Sequence, residues 1–153
     1  MRIAITGASG LIGSELVPHL RASQHEVIRL VRRDPTAADE VRWGPDTGFV
    51  GDLGDIDAVI HLAGAGVGDH RWSDSYKKEI LDSRVNGTET ISRAIAQMEH
   101  KPHTLISASA IGFYGDTGTT AVTETDPAGH GFLSDVVVAW EDATYAAGDA
   151  GIR

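Results

Sequence analysis

Residues 6–13, TGASGLIG, constrain the fold of this 153-residue chain more than any other segment. Residues 2–5 before them are typical of a short buried strand, and apolar residues recur at helical spacing from Leu11 to Leu20 after them. A strand that turns through three glycines into a helix is the pattern that holds a pyrophosphate at a helix N-terminus. The alternative is a strand–helix turn that binds no ligand.

Each glycine has its own role if the segment binds a dinucleotide. Gly7 allows the tight turn, Gly10 lets the backbone approach the pyrophosphate, and Gly13 lets the helix pack close to the strand. The free N–H groups and the positive dipole end of the helix would then face the anion. The predicted cofactor-binding residues of this turn are Gly7, Ser9, Gly10, Leu11, Ile12 and Gly13.

The rest of the chain alternates strand and helix patterns, which predicts an α/β fold. Further strands are expected at residues 26–31, 41–43, 57–64 and 104–109. Long helices are expected from Ser73 or Asp74 and over residues 132–147, and Pro18 should bend or shorten the first helix. The predicted architecture is a Rossmann doubly wound parallel sheet of order 3-2-1-4-5. Residues 151–153 resemble the lead-in to a sixth strand that the chain does not contain.

The end of the second strand carries the signal for cofactor choice. In this fold a carboxylate there binds the ribose 2′-hydroxyl, whereas an arginine accommodates a 2′-phosphate. The chain has Arg32 and Arg33 at this position, which favours NADP over NAD, although NAD remains possible. The alternative is that the two arginines cap a strand in water. The other predicted cofactor contacts lie after the fourth and fifth strands, at Leu62, Ala63, Gly64 and Ser107.

Composition excludes several classes of partner. A net charge of −9 opposes binding to a nucleic-acid backbone, and no apolar run is long enough to span a bilayer. Cysteine is absent, and the seven histidines do not cluster at ligand spacing, so no metal site is predicted. We therefore expect one cytoplasmic domain, residues 1–153, that acts on a small molecule.

Four segments in order, residues 6–13, 61–64, 86–88 and 109–115, give the chain a resemblance to the short-chain dehydrogenase/reductase superfamily. It is similar to the extended branch, which includes nucleotide-sugar epimerases and dehydratases. More narrowly, it is similar to an atypical subgroup of NAD-dependent epimerase-like proteins, some of which are named cell-division inhibitors. The closer match lies in residues 71–72, 83–85, 107–110, 132–133 and 140–141. The resemblance covers the whole chain. It implies the amino-terminal portion of a longer protein, with a possible homodimer through the long helix.

The chain departs from this family at the catalytic residues. Extended members have a Tyr-x-x-x-Lys pair followed four residues later by Glu, and aligning that Glu with Glu141 puts Leu133 and Val137 at the Tyr and Lys positions. The helix Asn of the family falls at Arg84, whereas the family's serine is present as Ser109. The resemblance thus implies Ser109 and Arg84 as catalytic candidates.

Each candidate residue also has an alternative, purely structural interpretation. Ser109 could be a satisfied strand-end hydroxyl, Arg84 a solvated helix residue, and Tyr114, the nearest phenol, a packed aromatic. The sequence leaves two alternative functions for the chain. The first is an NADP-dependent oxidoreductase or nucleotide-sugar epimerase of atypical type, in which other groups replace the Tyr/Lys pair. The second is a non-catalytic module that binds or senses NADP.

Overall fold

The computed structural model of the protein describes residues 1–153 and contains one sheet with helices on both faces. The strands are Arg2–Thr6 (β1), Glu26–Val31 (β2), Glu40–Gly44 (β3), Phe49–Val50 (β4), Ala58–His61 (β5) and Thr104–Ser107 (β6). The helices are Leu11–Ala22 (α1), Asp74–Ala96 (α2), Phe132–Asp142 (α3) and Tyr145–Asp149 (α4), with a 3₁₀ helix at Ile111–Tyr114. None of the helices combines the length and the hydropathy needed to cross a bilayer.

The strand order across the sheet is β4-β3-β2-β1-β5-β6. All neighbours pair in parallel except β4, which is antiparallel to β3. Without β4, the five parallel strands lie in the order β3-β2-β1-β5-β6. This is the predicted order 3-2-1-4-5 when only the parallel strands are numbered along the chain, so the doubly wound fold is confirmed. Strand β4 was not predicted, because two residues after a turn are too few to show a periodic pattern. Thr6 pairs with Leu30 on one side and with His61 on the other, which aligns the carboxyl ends of the central strands.

Side chains alternate between two cores, as the pleat of a strand requires. Towards α1, Ile3 and Ile5 of β1 pack with Val17. Towards α2, Ala4 packs in a larger cluster that includes Ile91. Because helices cover both faces, the central strands carry few polar residues. This burial fixes the sheet as a rigid base whose carboxyl edge carries the loops of the candidate site.

The last predicted helix is wrong in one respect: it is two helices rather than one. The break between α3 and α4 is held by buried Ser92 of α2. The Ser92 hydroxyl donates to the carbonyl of Thr144 at 3.0 Å and accepts from the N–H of Ala147 at 2.8 Å. Backbone groups at the break therefore find partners outside the helix, which allows the chain to turn there.

The first helix is not shortened at Pro18, since α1 continues to Ala22. Pro18 cannot donate to the carbonyl of Ser14, four residues earlier. Both residues are exposed, so water can satisfy that carbonyl.

Arg153 lies beside β6. Its N–H donates to the carbonyl of His103 at 3.2 Å, and its carbonyl accepts from the N–H of Leu105 at 2.8 Å. These two hydrogen bonds have the pattern of a parallel neighbour on that edge, which is compatible with the prediction that residues 151–153 lead into a further strand.

Candidate functional site

The glycine turn leaves a row of backbone donors free at the start of α1. Gly7 has φ +68°, in the region that favours glycine, and its carbonyl accepts from the N–H of Gly10 at 3.0 Å. Gly10 is the N-cap residue and offers no side chain, so the N–H groups of Leu11, Ile12 and Gly13 have no acceptor in the protein. Unpaired N–H groups at a helix N-terminus attract an anion.

The three glycines contribute differently to this turn. A Cβ on Gly13 would lie 2.7 Å from the Cα of Ala8, and one on Gly7 would lie 2.8 Å from the carbonyl carbon of Leu62, so both positions are closed by backbone. A Cβ on Gly10 would meet only the carbonyl oxygen of Gly7, at 3.3 Å. The space over Gly10 is therefore open, which fits the predicted approach of a pyrophosphate.

Thr6 fastens the turn to the end of β5. Its hydroxyl oxygen accepts from the N–H groups of Leu62 and Ala63 at 3.1 and 3.2 Å, and it lies 2.7 Å from Nδ1 of His61. Because the oxygen already accepts two bonds, its own proton points to Nδ1. The predicted residues Leu62 and Ala63 thus lie against the glycine turn, with their N–H groups already used by Thr6.

His61 is a part of the site that the sequence reasoning missed. It is fully buried, the edge of its ring meets Trp43 with ring centroids 5.8 Å apart, and its Nε2 has no partner. Burial lowers the pKa of His61 to about 4. The only available signal was a histidine inside an otherwise apolar strand.

Neutral His61 should make stability depend on pH. In the unfolded chain the imidazole has a pKa of about 6.5, so it takes up a proton there well before it does in the folded protein. The stabilisation is therefore fully present above pH 6.5 and is lost as the pH falls from 6.5 to 4. Urea unfolding should show a loss of roughly 3 kcal/mol over this range from His61 alone.

The matched control is His61→Gln, which keeps a polar side chain beside Thr6 but cannot titrate. The arginine partners of Asp39 and Glu40 lower the pKa values of these acids to about 2. Their stabilisation is therefore present above about pH 4.5 and is lost only below it, so it adds little pH dependence between pH 6.5 and 4.5. An equally steep pH dependence in His61→Gln would rule out the role of His61.

The two arginines after β2 have different surroundings. Arg33 donates two hydrogen bonds to Glu40, at 2.7 and 2.8 Å, and the Glu40 side chain is only 2% exposed. Glu40 also accepts from the N–H of Thr36 at 2.8 Å. Arg32 makes no side-chain hydrogen bond or ion pair and lines a pocket of about 330 Å³. The structure therefore leaves Arg32 available to a ligand and pairs Arg33, whose side chain is 55% exposed, with the nearly buried Glu40.

Arg84 holds the loop that follows β5. Its guanidinium donates to the carbonyls of Ala65 at 2.9 Å and Ile80 at 3.1 Å, and it lies over the ring of Trp140 at 5.1 Å. Burial lowers the pKa of Arg84. The alkyl part of Arg84 also lies near Gly64, since a Cβ added to Gly64 would be 3.4 Å from the Cγ of Arg84. Arg84 thus joins this loop to α2 and α3 and is not the solvated helix residue considered above.

Ser109, like Arg84, contacts α3. Its hydroxyl donates to the carboxylate of Glu141, the residue after Trp140 in α3. Arg84 and Ser109 therefore both contact the carboxyl-terminal half of α3. The predicted cofactor contact Ser107 donates weakly to the carbonyl of Ala108 at 3.3 Å.

Apolar packing occupies the positions of the missing Tyr/Lys pair. Leu133 lies against Gly112 of the 3₁₀ helix, since a Cβ added to Gly112 would be 3.3 Å from the Cβ of Leu133. Val137 is 3% exposed. Tyr114 is partly buried and meets Phe113 edge to face at 5.2 Å, as a packed aromatic would. Glu141, which the sequence reasoning used only for alignment, is the one acidic group paired with a predicted catalytic residue.

Comparison with known proteins agrees with this geometry. The chain is 47% identical to an epimerase family protein of Mycobacterium leprae, over 99% of this chain and 49% of that protein. It matches a nucleoside-diphosphate sugar epimerase from Corynebacterium glutamicum with a TM-score of 0.85 and 40% identity, over 100% of this chain and 32% of the other. It matches human epimerase family protein SDR39U1, solved with NADPH, with a TM-score of 0.84 and 28% identity, over 94% of this chain and 48% of that one.

The chain spans about half the length of the curated relatives it matches. The model of the NAD dependent epimerase/dehydratase family matches residues 3–131. These matches confirm the resemblance to extended short-chain dehydrogenase/reductases that the sequence motifs indicated. The chain belongs to the NAD dependent epimerase/dehydratase family.

Proposed function

We propose that this protein binds NADP at the turn of residues 6–13 and supplies the cofactor half of an atypical epimerase or oxidoreductase. The observation that carries the proposal is the set of free N–H groups of Leu11, Ile12 and Gly13, which lie over the open space at Gly10. A pyrophosphate would satisfy all three donors and would meet the positive end of the α1 dipole. The human relative solved with NADPH supports the same cofactor.

The residues of this chain would hold the cofactor in three places. The start of α1 would take the pyrophosphate, Arg32 the 2′-phosphate, and the backbone at Ala63 and Gly64 the middle of the molecule. When bound, the nicotinamide supplies hydride transfer. The aligned carboxyl ends of β1 and β5 make this edge the topological switch point at which doubly wound sheets bind ligands.

The proton chemistry falls to Ser109 and Glu141 in this proposal. While its proton is donated to Glu141, the Ser109 oxygen can accept a hydrogen bond from a substrate hydroxyl. When Glu141 is protonated and donates to Ser109, the serine can instead donate its own proton to a substrate carbonyl. Arg84 is assigned a positioning role, because both of its hydrogen bonds go to backbone carbonyls. The substrate would be a small carbonyl compound or a nucleotide sugar, and the name of the Corynebacterium glutamicum relative supports the second class.

A non-catalytic NADP-binding module is the second candidate. Its support is the apolar packing of Leu133 and Val137, neither of which can exchange a proton or hold a ribose. An assay of NADPH turnover against nucleotide sugars and small carbonyls separates the two functions. Cofactor affinity without turnover of any substrate would favour the module.

If the protein turns over a substrate, Ser109→Ala should lower kcat by roughly 10²-fold, the scale of general acid–base assistance. Leu133→Ala is the control, since it removes packing but no proton donor, and both variants are compared at equal fraction folded. A larger loss in Leu133→Ala than in Ser109→Ala would contradict the assignment of Ser109.

A further inference from the structure

A second arginine shares the pocket that Arg32 lines. Arg42 of β3 is paired in register with Val31, the residue before Arg32, so the two arginines stand on neighbouring strands at the carboxyl edge. Both line the pocket of about 330 Å³, with Trp43, Thr47 and Phe49 among its other walls. The Arg32 wall of this pocket follows β2, which lies about 4.8 Å from β1 and its glycine turn, whereas the Arg42 wall lies on β3, one strand further out.

Four arginines lie near this edge, and their partners decide which can reach a ligand. Arg29 and Arg33 are held by Asp39 and by Glu40, whose side chain is 2% exposed. Releasing Arg29 would leave Asp39 with Arg21 as its one remaining cation. Releasing Arg33 would leave the nearly buried Glu40 with only the longer contact to Arg29, at 3.2 Å, so both releases are unfavourable. Arg32 has no ionic partner to release.

Arg42 has only a weak and replaceable partner. It makes one hydrogen bond of 2.8 Å to Asp34, and the two side chains are 58% and 85% exposed. Ion pairs this exposed contribute little to stability, and either group can turn to water at little cost. A dianionic phosphate with several acceptor oxygens is a stronger partner for a guanidinium than one exposed carboxylate.

We propose that Arg42, rather than Arg33, is the second arginine of a 2′-phosphate subsite, and that the exposed carboxylate of Asp34 is the counterion that the phosphate displaces. The proposal rests on the proposed NADP binding and adds the residues that select NADP over NAD. Asp46, the other charged residue of the pocket, is negative, so both arginines are needed to make the pocket attract an anion.

Calorimetric titration of the protein with NADP⁺ and with NAD⁺ tests this subsite. The unchanged protein should bind NADP⁺ at least about tenfold more tightly, the factor given by one charge-assisted hydrogen bond. Arg42→Gln should remove most of that preference and leave NAD⁺ affinity within about twofold. Arg33→Gln should lower the melting temperature, because it removes two hydrogen bonds from the nearly buried carboxylate of Glu40, and leave the preference intact. Asp34→Asn should raise NADP⁺ affinity, since it removes the competing carboxylate.

The results of these titrations distinguish failure of the 2′-phosphate subsite from failure of the proposed NADP binding. Equal affinity of the unchanged protein for the two cofactors, or a preference that survives Arg42→Gln, overturns the subsite alone. A preference lost in Arg33→Gln and kept in Arg42→Gln reverses the assignment. Failure to bind either cofactor overturns the proposed function together with the subsite. Titration with 2′,5′-ADP and 5′-ADP repeats the comparison without the nicotinamide half, and Arg42→Lys should recover part of the preference.

Discussion

Gly10→Asp should weaken dinucleotide binding at least about hundredfold while the protein stays folded. The new carboxylate would enter the open space over the free N–H groups of Leu11 and Ile12, where the pyrophosphate is proposed to lie. Two like charges about 4 Å apart near a protein surface repel by roughly 4 kcal/mol, and the carboxylate would also occupy the donors itself. Calorimetry measures the affinity, and circular dichroism checks the fold.

The fold should survive because Gly10 is the N-cap of α1 and has φ −78°. Aspartate is among the preferred N-cap residues, and a Cβ here meets a single atom at 3.3 Å, so stability should be equal or higher. Gly10→Ala is the matched control: its methyl group enters the same space but adds no charge, so it should weaken binding less than Gly10→Asp does. A folded Gly10→Asp variant with unchanged affinity would remove the pyrophosphate from this turn.

Gly13→Ala should destabilise the fold by about 3 kcal/mol or more. Its Cβ would lie 2.7 Å from the Cα and 2.8 Å from the carbonyl carbon of Ala8, and closer still to the carbonyl oxygen of Gly7. These atoms belong to the backbone of a tight turn, so α1 must move away from β1 to make room, which exceeds the ordinary cost of overpacking. Chemical denaturation measures the change in the free energy of unfolding.

Gly148→Ala of α4 is the control for helix propensity, because no atom outside the helix lies within 4 Å of a Cβ there. That variant should be neutral or gain up to about 1 kcal/mol. Equal effects of the two substitutions would show that Gly13 is not required for close packing of α1 on β1.

The fold could be predicted because its signals are local. The glycine turn, the apolar strands and the parallel crossovers each follow from a few neighbouring residues, and together they specify the order of the five parallel strands. Strand β4 and the break between α3 and α4 depend on distant contacts. The break between α3 and α4 depends on the hydrogen bond from Ser92 to Thr144, which is 52 residues away, and no local sequence pattern indicates this bond.

The site was predictable in its backbone and less so in its side chains. Gly7, Gly10 and Gly13 have conformational roles that the motif states directly. The arginines show the limit, because only the folded chain reveals which carboxylate each one meets. Arg33 is paired with Glu40 and Arg42 with Asp34, whereas Arg32 has no such partner. The pairing of Ser109 with Glu141 joins the loop after β6 to α3 and spans 32 residues, so it too emerged only in three dimensions.

The crystal structure of the protein with NADPH is the most direct test of dinucleotide binding at the turn of residues 6–13. We expect the pyrophosphate within hydrogen-bonding distance of the N–H groups of Leu11 and Ile12, and the 2′-phosphate between Arg32 and Arg42. A dinucleotide bound elsewhere, with these N–H groups facing only water, would contradict the account.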